Sequence, residues 1–340
     1  MSKKIPLLIS LDIGHQQCRC AIFERHPRTN TISLLKCGSE KSNQALNNDG
    51  SANETLLQES LHNCIESCKL PIDKTKCQII CNLPIAHQST TDNISASEQF
   101  FKNEEQFHNP EQKKHPLLHN KAYKKLQKQI QHCCDIYTDE TVTFFYEGFS
   151  MSHELINPDL REQGALLVDI GKYTSKIQQI KNNKIAHFTT IPIGGHHITK
   201  DLSICLKTSI ENAEKLKILN GNLSEKLQSP HFNIDNQTFD TQLIKNIISA
   251  RVIEWMRFIN DVNSELPLIL CGGGSLLKNQ HSYLEKKYKR RIYMLNTKEE
   301  KQNIHFAGLL SNANYAIKKN AIPPLKSKEN KLQKWLQNWL

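Results

Sequence analysis

The sequence predicts an α/β protein with a duplicated, two-lobed fold and a cleft between its halves. Three observations carry that prediction. Residues 7–11, Leu-Leu-Ile-Ser-Leu, run into Asp12-Ile13-Gly14, then a polar turn of His15-Gln16-Gln17, then a returning strand at 18–23. The same event recurs at 164–176, where an apolar run ends in Asp169-Ile170-Gly171 and turns at once into polar residues. A third glycine turn, Gly272-Gly273-Gly274, follows the apolar run 268–271. Each strand delivers an aspartate to its end, and glycine lets the turn backbone present N–H groups to an anion. One Asp-Ile-Gly is a weak signal. A spaced pair with a third glycine turn is a much stronger one.

Composition bounds the rest. A chain of 340 residues can bury a good core in two domains or lobes. Its 38% apolar content and mean hydropathy of -0.53 imply extended polar surface. The net charge is +10, but Lys and Arg are scattered rather than gathered into a run with aromatic partners. That distribution argues against nucleic acid and leaves anionic lipid or an acidic protein as partner. The eleven cysteines form no Cys-x-x-Cys pair, so buried thiols in a reducing cytoplasm are expected over a metal or disulfide framework. Neither His196-His197 nor His132-Cys133-Cys134 has a partner at ligand spacing, which makes a metal enzyme the weakest option. Lys3-Lys4 before the first apolar run looks like the start of a signal peptide, but Asp12 interrupts it and no small-residue cleavage site follows. No apolar stretch approaches the ~18 residues that span a bilayer. The chain is therefore expected in the cytoplasm or on a membrane surface.

Taken in order, the first hairpin is followed by a strand at 31–35 and a polar loop at 41–53. Residues 55–69 read as a helix, because Leu57, Leu61, Cys64, Ile65 and Cys68 recur at spacings of three and four. A strand at 77–81 closes on Asn82-Leu83-Pro84. The pattern then fades from about 90 to 121 into a polar insert with Phe100, Phe101 and Phe107 as its main apolar residues. Leu126, Ile130 and Cys133 or Cys134 predict a helix at 122–134, and 142–146 predicts a strand. A helix at 148–156 leads to the second hairpin. Beyond it come a turn at 181–184, a strand at 185–193 ending at Gly194-Gly195, and helices at 198–207, 210–219 and 241–263. After the 268–271 strand, the pattern predicts a helix at 281–289, a strand at 292–294 and a helix at 304–317. The expected lobes are 1–160 and 161–320, with a smaller subdomain at about 221–251 and a linker at 321–330.

The last ten residues form a pattern of their own. Leu332, Trp335, Leu336, Trp339 and Leu340 fall at i, i+3, i+4, i+7 and i+8, with Lys331, Lys334 and polar residues opposite. So short an amphipathic helix is marginal alone in water and gains its order at lipid. Lys326, Lys328, Lys331 and Lys334 would lie near anionic head groups, each contributing about 1 kcal/mol. The alternative is a helix packed back on the domain. Pro323-Pro324 and Lys326-Ser327-Lys328 read instead as a solvated spacer.

Together these stretches resemble the FtsA family of actin-like bacterial cell-division proteins. The resemblance rests on Leu167–Gly171, on Ile191-Pro192-Ile193-Gly194-Gly195 through Thr199 and Asp201, on Asn212-Ala213-Glu214 with Lys217, and on the tail. It covers most of the chain outside about 90–121, and it implies an actin-like fold with ATP in the cleft between the lobes. By matching position it assigns Asp12 and Gly14 to a first phosphate loop, and Asp169, Gly171 and Thr174 to a second. Glu214 and Lys217 would meet the ribose, and Gly272, Gly273 and Gly274 would lie on the adenosine side. Asp12 and Asp169 would hold Mg²⁺ through water, since that hard ion keeps several waters. The resemblance further implies an FtsZ-like tubulin homologue as partner at roughly 221–251. It also implies anionic lipid at Lys331, Leu332, Lys334, Trp335, Leu336, Trp339 and Leu340, self-association, later division proteins, and a place on the cytoplasmic face of the inner membrane at the septum.

The chain also departs from the family's pattern. His15, Gln16 and Gln17 stand where small hydroxyl residues are usual. In the second loop Tyr173 replaces a glycine, Lys176 reverses a charge, and Lys172 adds a cation that can meet a phosphate oxygen directly. At most a weak ATPase is expected, or a nucleotide-binding scaffold. Two rivals remain. A pilus-assembly actin-like protein recruited by a peptide needs no lipid anchor, and an actin-fold small-molecule kinase needs a well-kept phosphate loop and a carboxylate against its substrate hydroxyl.

Overall fold

The computed structural model describes residues 5–26, 29–43, 45–47, 51–83, 121–146, 149–226, 229–235, 237–294 and 306–322. The amphipathic tail, the linker beyond Ile322 and nearly all of the polar insert lie outside the described residues.

The chain divides into two compact units. In the first, β1 (Leu7–Ile13), β2 (Gln17–His26) and β3 (Thr31–Lys41) form an antiparallel meander. The helix α1 (Glu54–Glu66) then crosses to β4 (Cys77–Leu83), which runs parallel to β1. The helix α2 (Lys121–Cys134) leads on to β5 (Thr143–Tyr146), giving the sheet order β3-β2-β1-β4-β5. Its central strands are buried on both faces, as continuous apolar runs require. Asn53 accepts from the Leu56 N–H and so caps the start of α1. The buried side of that helix is Leu57, Leu61, Cys64 and Ile65.

The second unit repeats the plan. The strands β6 (Ala165–Ile170), β7 (Ser175–Lys181) and β8 (Lys184–Ile191) form the meander. The helices α5 (Gly195–Cys205), α6 (Ile210–Asn220) and α7 (Thr241–Val262) precede β11 (Leu268–Cys271), which runs parallel to β6. The helix α8 (Gln280–Tyr288) leads to β12 (Ile292–Met294), and the sheet order is β12-β11-β6-β7-β8. Read from the other edge, this is the topology of the first sheet. The core joins Val168, Ile170, Ile177, Leu202, Leu216, Ile248, Val252, Trp255 and Leu270. Its scaffold is tied by a bidentate ion pair, with Arg251 on α7 donating to both oxygens of Asp201 on α5 at 2.8 and 2.9 Å.

Several elements differ from those expected. The third strand extends to Lys41. The single helix expected at 148–156 is two short ones, α3 (Phe149–Glu154) and α4 (Pro158–Gln163). Asn157 caps the second by accepting from the Asp159 N–H, and Pro158 suits its first turn. A two-stranded ribbon, β9 (His231–Ile234) with β10 (Gln237–Asp240), lies in the region expected as the smaller subdomain. The last helix, α9 (Ala307–Lys318), groups with the first unit rather than with the second half of the chain. The reason is specific contact. Ser150 bonds Asn312, Tyr315 meets the edge of Phe145 at 6.2 Å, and Asn30 donates to the Ile317 carbonyl at 3.4 Å.

Candidate functional site

The two hairpins have the same register. Ile13 pairs with Cys18 and Ile170 with Ser175, so each loop holds four residues. Gly14 N–H donates to the Gln17 carbonyl at 3.0 Å, and Gly171 N–H to the Thr174 carbonyl at 3.0 Å. A Cβ on either glycine would stand 3.1 Å from that same carbonyl oxygen, so in both loops a larger residue would press on the carbonyl that closes the turn. Asp12 and Asp169 each occupy a half-buried position in an otherwise buried strand.

Each loop is held from behind through its carbonyls. In the first, Ser42 donates from its backbone to Gln16 O at 3.1 Å and from its hydroxyl to Gly14 O. In the second, the first amides of α5 do this work. Gly195 N–H donates to Gly171 O at 2.9 Å and His196 N–H to Lys172 O at 2.8 Å. Carbonyl oxygens that would repel an anion are thereby turned onto the scaffold. A Cβ on Gly194 would lie 2.5 Å from Lys172 O, which is why glycine stands where this loop meets the helix.

The adjacent histidines lie in the first turn of a helix rather than on a strand, because α5 begins at Gly195, three residues earlier than expected. His197 Nδ1 accepts from the Gly194 N–H at 3.1 Å and closes the turn. His196 meets the Tyr173 ring edge-on at 5.1 Å, while the Lys172 ammonium lies 5.0 Å from that ring's centroid. Burial, reinforced by the charge of Lys172, pushes His196 below its ordinary pKa. Tyr173 has no left-handed backbone, so replacing a glycine there strains nothing.

Glu214 and Lys217, one helical turn apart on α6, form a closed network. Lys217 donates to Glu214 Oε2 at 2.7 Å, Thr199 Oγ1 at 2.9 Å and the Gly195 carbonyl at 3.1 Å, which uses all three ammonium protons. Thr199 in turn donates to Glu214. Burial works to raise the Glu214 pKa, but the hydrogen bonds from Lys217 and Thr199 outweigh it and hold the carboxyl below its ordinary value. The three bonds that Lys217 makes leave its ammonium no proton for a further acceptor. Thr199 was legible in the sequence only as part of a family segment. Its role as the third member follows from α5 and α6 packing side by side.

The glycine turn after β11 divides by residue. Gly272 has φ +78, and a Cβ there would lie 2.2 Å from Asp169 Oδ1. A Cβ on Gly274 would lie 2.2 Å from Ile170 Cγ2, whereas one on Gly273 meets nothing within 4 Å. Gly272 and Gly274 let the turn close over Asp169 and Ile170. Gly273 faces open space and is the one of the three against which a ligand can lie.

The residues expected to hold Mg²⁺ do not fit that ion well. Asp12 Oδ2 already accepts from Arg19 Nη1 at 3.3 Å, and Arg19 is its direct cross-strand partner. Asp169 has Lys176 as its direct cross-strand partner and lies against Gly272. A hard dication that prefers near-ideal octahedral oxygen donors gains little from Asp12, whose carboxylate already accepts from Arg19, and would meet a lysine directly opposite Asp169 in the ladder.

Residues 166–317 match the family described as Cell division protein FtsA. The Cell division protein FtsA of Bacillus subtilis (strain 168) is 32% identical over 130 residues, covering 36% of this chain and 30% of that protein. That of Buchnera aphidicola subsp. Baizongia pistaciae is 27% identical over 260 residues, covering 65% of this chain and 60% of that protein. The chain thus spans between about a third and three-fifths of these relatives' lengths. Among solved structures, MreB 5 of Spiroplasma citri bound to AMPPNP superposes with TM-score 0.61 at 14% identity, covering 98% of this chain and 99% of that one. The PilM-PilN type IV pilus biogenesis complex gives TM-score 0.61 at 13% identity, covering 93% and 99%. These last likenesses show the fold alone. By sequence through residues 166–317 the chain is related to the cell-division protein FtsA, and its fold is actin-like.

Proposed function

We propose that this chain is an actin-like adaptor of cell division that binds a nucleotide with the loops described above. It couples an FtsZ-like filament to the inner face of the cytoplasmic membrane through residues 331–340. The observation that carries the nucleotide reading is the repeated hairpin, with the same register, the same glycine and the same glycine N–H to carbonyl bond in each copy, joined in the second unit by the Glu214–Lys217 pair and the open Gly273. Nucleotide-bound MreB 5 structures share the fold, which supports the same reading. Turnover is expected to be weak, because no described side chain of the second loop, from Lys172 to Thr174, is a carboxylate that can activate water.

The filament partner is supported by charge. A cavity of about 580 Å³ in the second unit is lined by Lys226, Lys245, Lys286 and Lys287 with Glu225 as its one acid, which favours an acidic segment. It overlaps the region expected to meet the filament. Lipid binding rests on the tail sequence, with self-association and later division proteins as further partners.

The test is co-sedimentation of the full chain with FtsZ filaments and anionic vesicles, beside a chain lacking residues 335–340. The expected result is filament recruited to vesicles only with the tail present. Recruitment that survives the deletion would remove the tether. Vesicle binding without filament would leave an adaptor for some other partner, such as a pilus-assembly peptide.

A further inference from the structure

We propose that Lys176 supplies the positive charge that a divalent cation would otherwise bring to the second hairpin, so that polyphosphate binding there does not depend on Mg²⁺. The inference rests on the nucleotide reading and deepens it.

Duplication provides the internal comparison. Asp12 and Arg19 are direct partners across β1 and β2, and Asp169 and Lys176 are direct partners across β6 and β7, each pair one step beyond the residues that flank a four-residue loop. All four sit at half-buried positions between buried neighbours. In the first hairpin the outcome is visible, since Arg19 Nη1 reaches Asp12 Oδ2 at 3.3 Å. In the second, direct partners in an antiparallel ladder have Cβ atoms roughly 4.5–5.5 Å apart, within easy reach of a lysine.

Net charge follows from the segment itself. From Asp169 to Lys176 the sequence is Asp-Ile-Gly-Lys-Tyr-Thr-Ser-Lys, two lysines against one aspartate, a net charge of +1. The loop between them keeps its anion-accepting form, with its Gly171 and Lys172 carbonyls bonded to α5. A polyphosphate arriving here meets Lys172 at the loop and Lys176 behind it. Asp169, directly opposite Lys176 in the ladder and with its Oδ1 against Gly272, serves as scaffold. An acid at 176 would instead place two carboxylates face to face at one strand end, a pair that repels itself unless a cation lies between them.

The experiment is ATP binding to the full chain by calorimetry, once in excess EDTA and once in saturating Mg²⁺, for the wild type, Lys176→Asp and Lys176→Met. The wild type is expected to bind with the same affinity in both within about threefold. Lys176→Asp is expected to bind about tenfold or more tighter with Mg²⁺ than without, the order of one charge-assisted hydrogen bond gained or lost. Lys176→Met, which keeps the stem and adds no acid, weakens binding in EDTA. Wild-type binding that tightens tenfold in Mg²⁺ would overturn the inference while leaving the nucleotide reading intact. So would a Lys176→Met chain that binds in EDTA as well as the wild type. Absence of ATP binding by the wild type in both conditions would remove the nucleotide reading and this inference with it.

Discussion

Substituting alanine at each of the three glycines after β11 separates scaffold from contact surface. At Gly272 two costs add. The backbone has φ +78, where a Cβ costs about 1–2 kcal/mol. The new atom would also stand 2.2 Å from Asp169 Oδ1, 2.6 Å from Ile170 O and 2.8 Å from Ile170 N. Two of those three are backbone atoms of a buried strand that cannot swing aside, so overpacking adds about 1–3 kcal/mol. The expected loss for Gly272→Ala is about 2–5 kcal/mol. Gly274→Ala carries only the steric part, against Ile170 Cγ2 at 2.2 Å, and is expected to cost about 1–3 kcal/mol. Gly273→Ala meets nothing within 4 Å and needs no left-handed backbone, so it should be neutral or gain about 0.4–1 kcal/mol from a stiffer unfolded chain. Urea unfolding followed by Trp255 fluorescence reads all three. Of the chain's three tryptophans the other two are Trp335 and Trp339, so a Trp335→Phe/Trp339→Phe background leaves the buried Trp255 as the only reporter. A Gly273→Ala loss as large as that of Gly272→Ala would refute this division of the turn.

Further outcomes follow from the same geometry. Lys217→Met strands a carboxylate that is about one-third exposed, so solvent moderates the loss to about 1–3 kcal/mol; with Glu214→Gln in the same chain the losses should fall short of additive by about 1 kcal/mol in a double-mutant cycle. Full additivity would mean the network does not couple. Stability should fall in two stages on acidification, and should fall as well above the ordinary thiol value of 9.0, where the unfolded chain's cysteines ionise while buried Cys18 and Cys77, pushed up to about 12, keep their protons. Below the ordinary histidine value of 6.5 the unfolded chain takes a proton that folded His196, with its lowered pKa, refuses. Below 4.5 the stability contributed by ionised Glu214 is lost as pH falls through its depressed folded value. His196→Gln should abolish the first stage only, as read from unfolding midpoints across pH. Of the eleven thiols, Cys205 is exposed and Cys37 half-buried, while the rest are buried, with Cys77 pushed up to about 12 by burial. A native thiol titration should therefore show one fast and one slower group, and urea should release the other nine; several fast thiols in native buffer would contradict the packing.

The elements that sequence reading located best are those with a one-dimensional signature. Both hairpins, α1 and α7 announce themselves through apolar periodicity or an Asp-Ile-Gly ending, and they lie where expected. The short ribbon β9–β10 was missed because Phe232, Ile234 and Phe239 are too few, at strands of four residues each, to set a period. The start of α5 was misplaced because its first amides are satisfied by the carbonyls of a loop more than twenty residues earlier, which no local propensity encodes. The opposition of Lys176 to Asp169 was read only as a changed charge. Its meaning depends on register, and register was visible only once Ile170 was seen paired with Ser175. The Glu214–Lys217 pair was assigned by resemblance to a family segment, yet its closure through Thr199 and Gly195 required the packing of two helices.

The central claim is that the second unit's loops and open glycine receive a nucleotide. Its most direct test is equilibrium ATP binding to the full chain beside Gly273→Val, with Trp255 unfolding measured on both. The account predicts saturable binding by the wild type, and at least about tenfold weaker binding by a variant of unchanged stability, because added side-chain atoms would occupy the space the ligand needs. Equal affinity in the two chains, or no binding by the wild type, would contradict it.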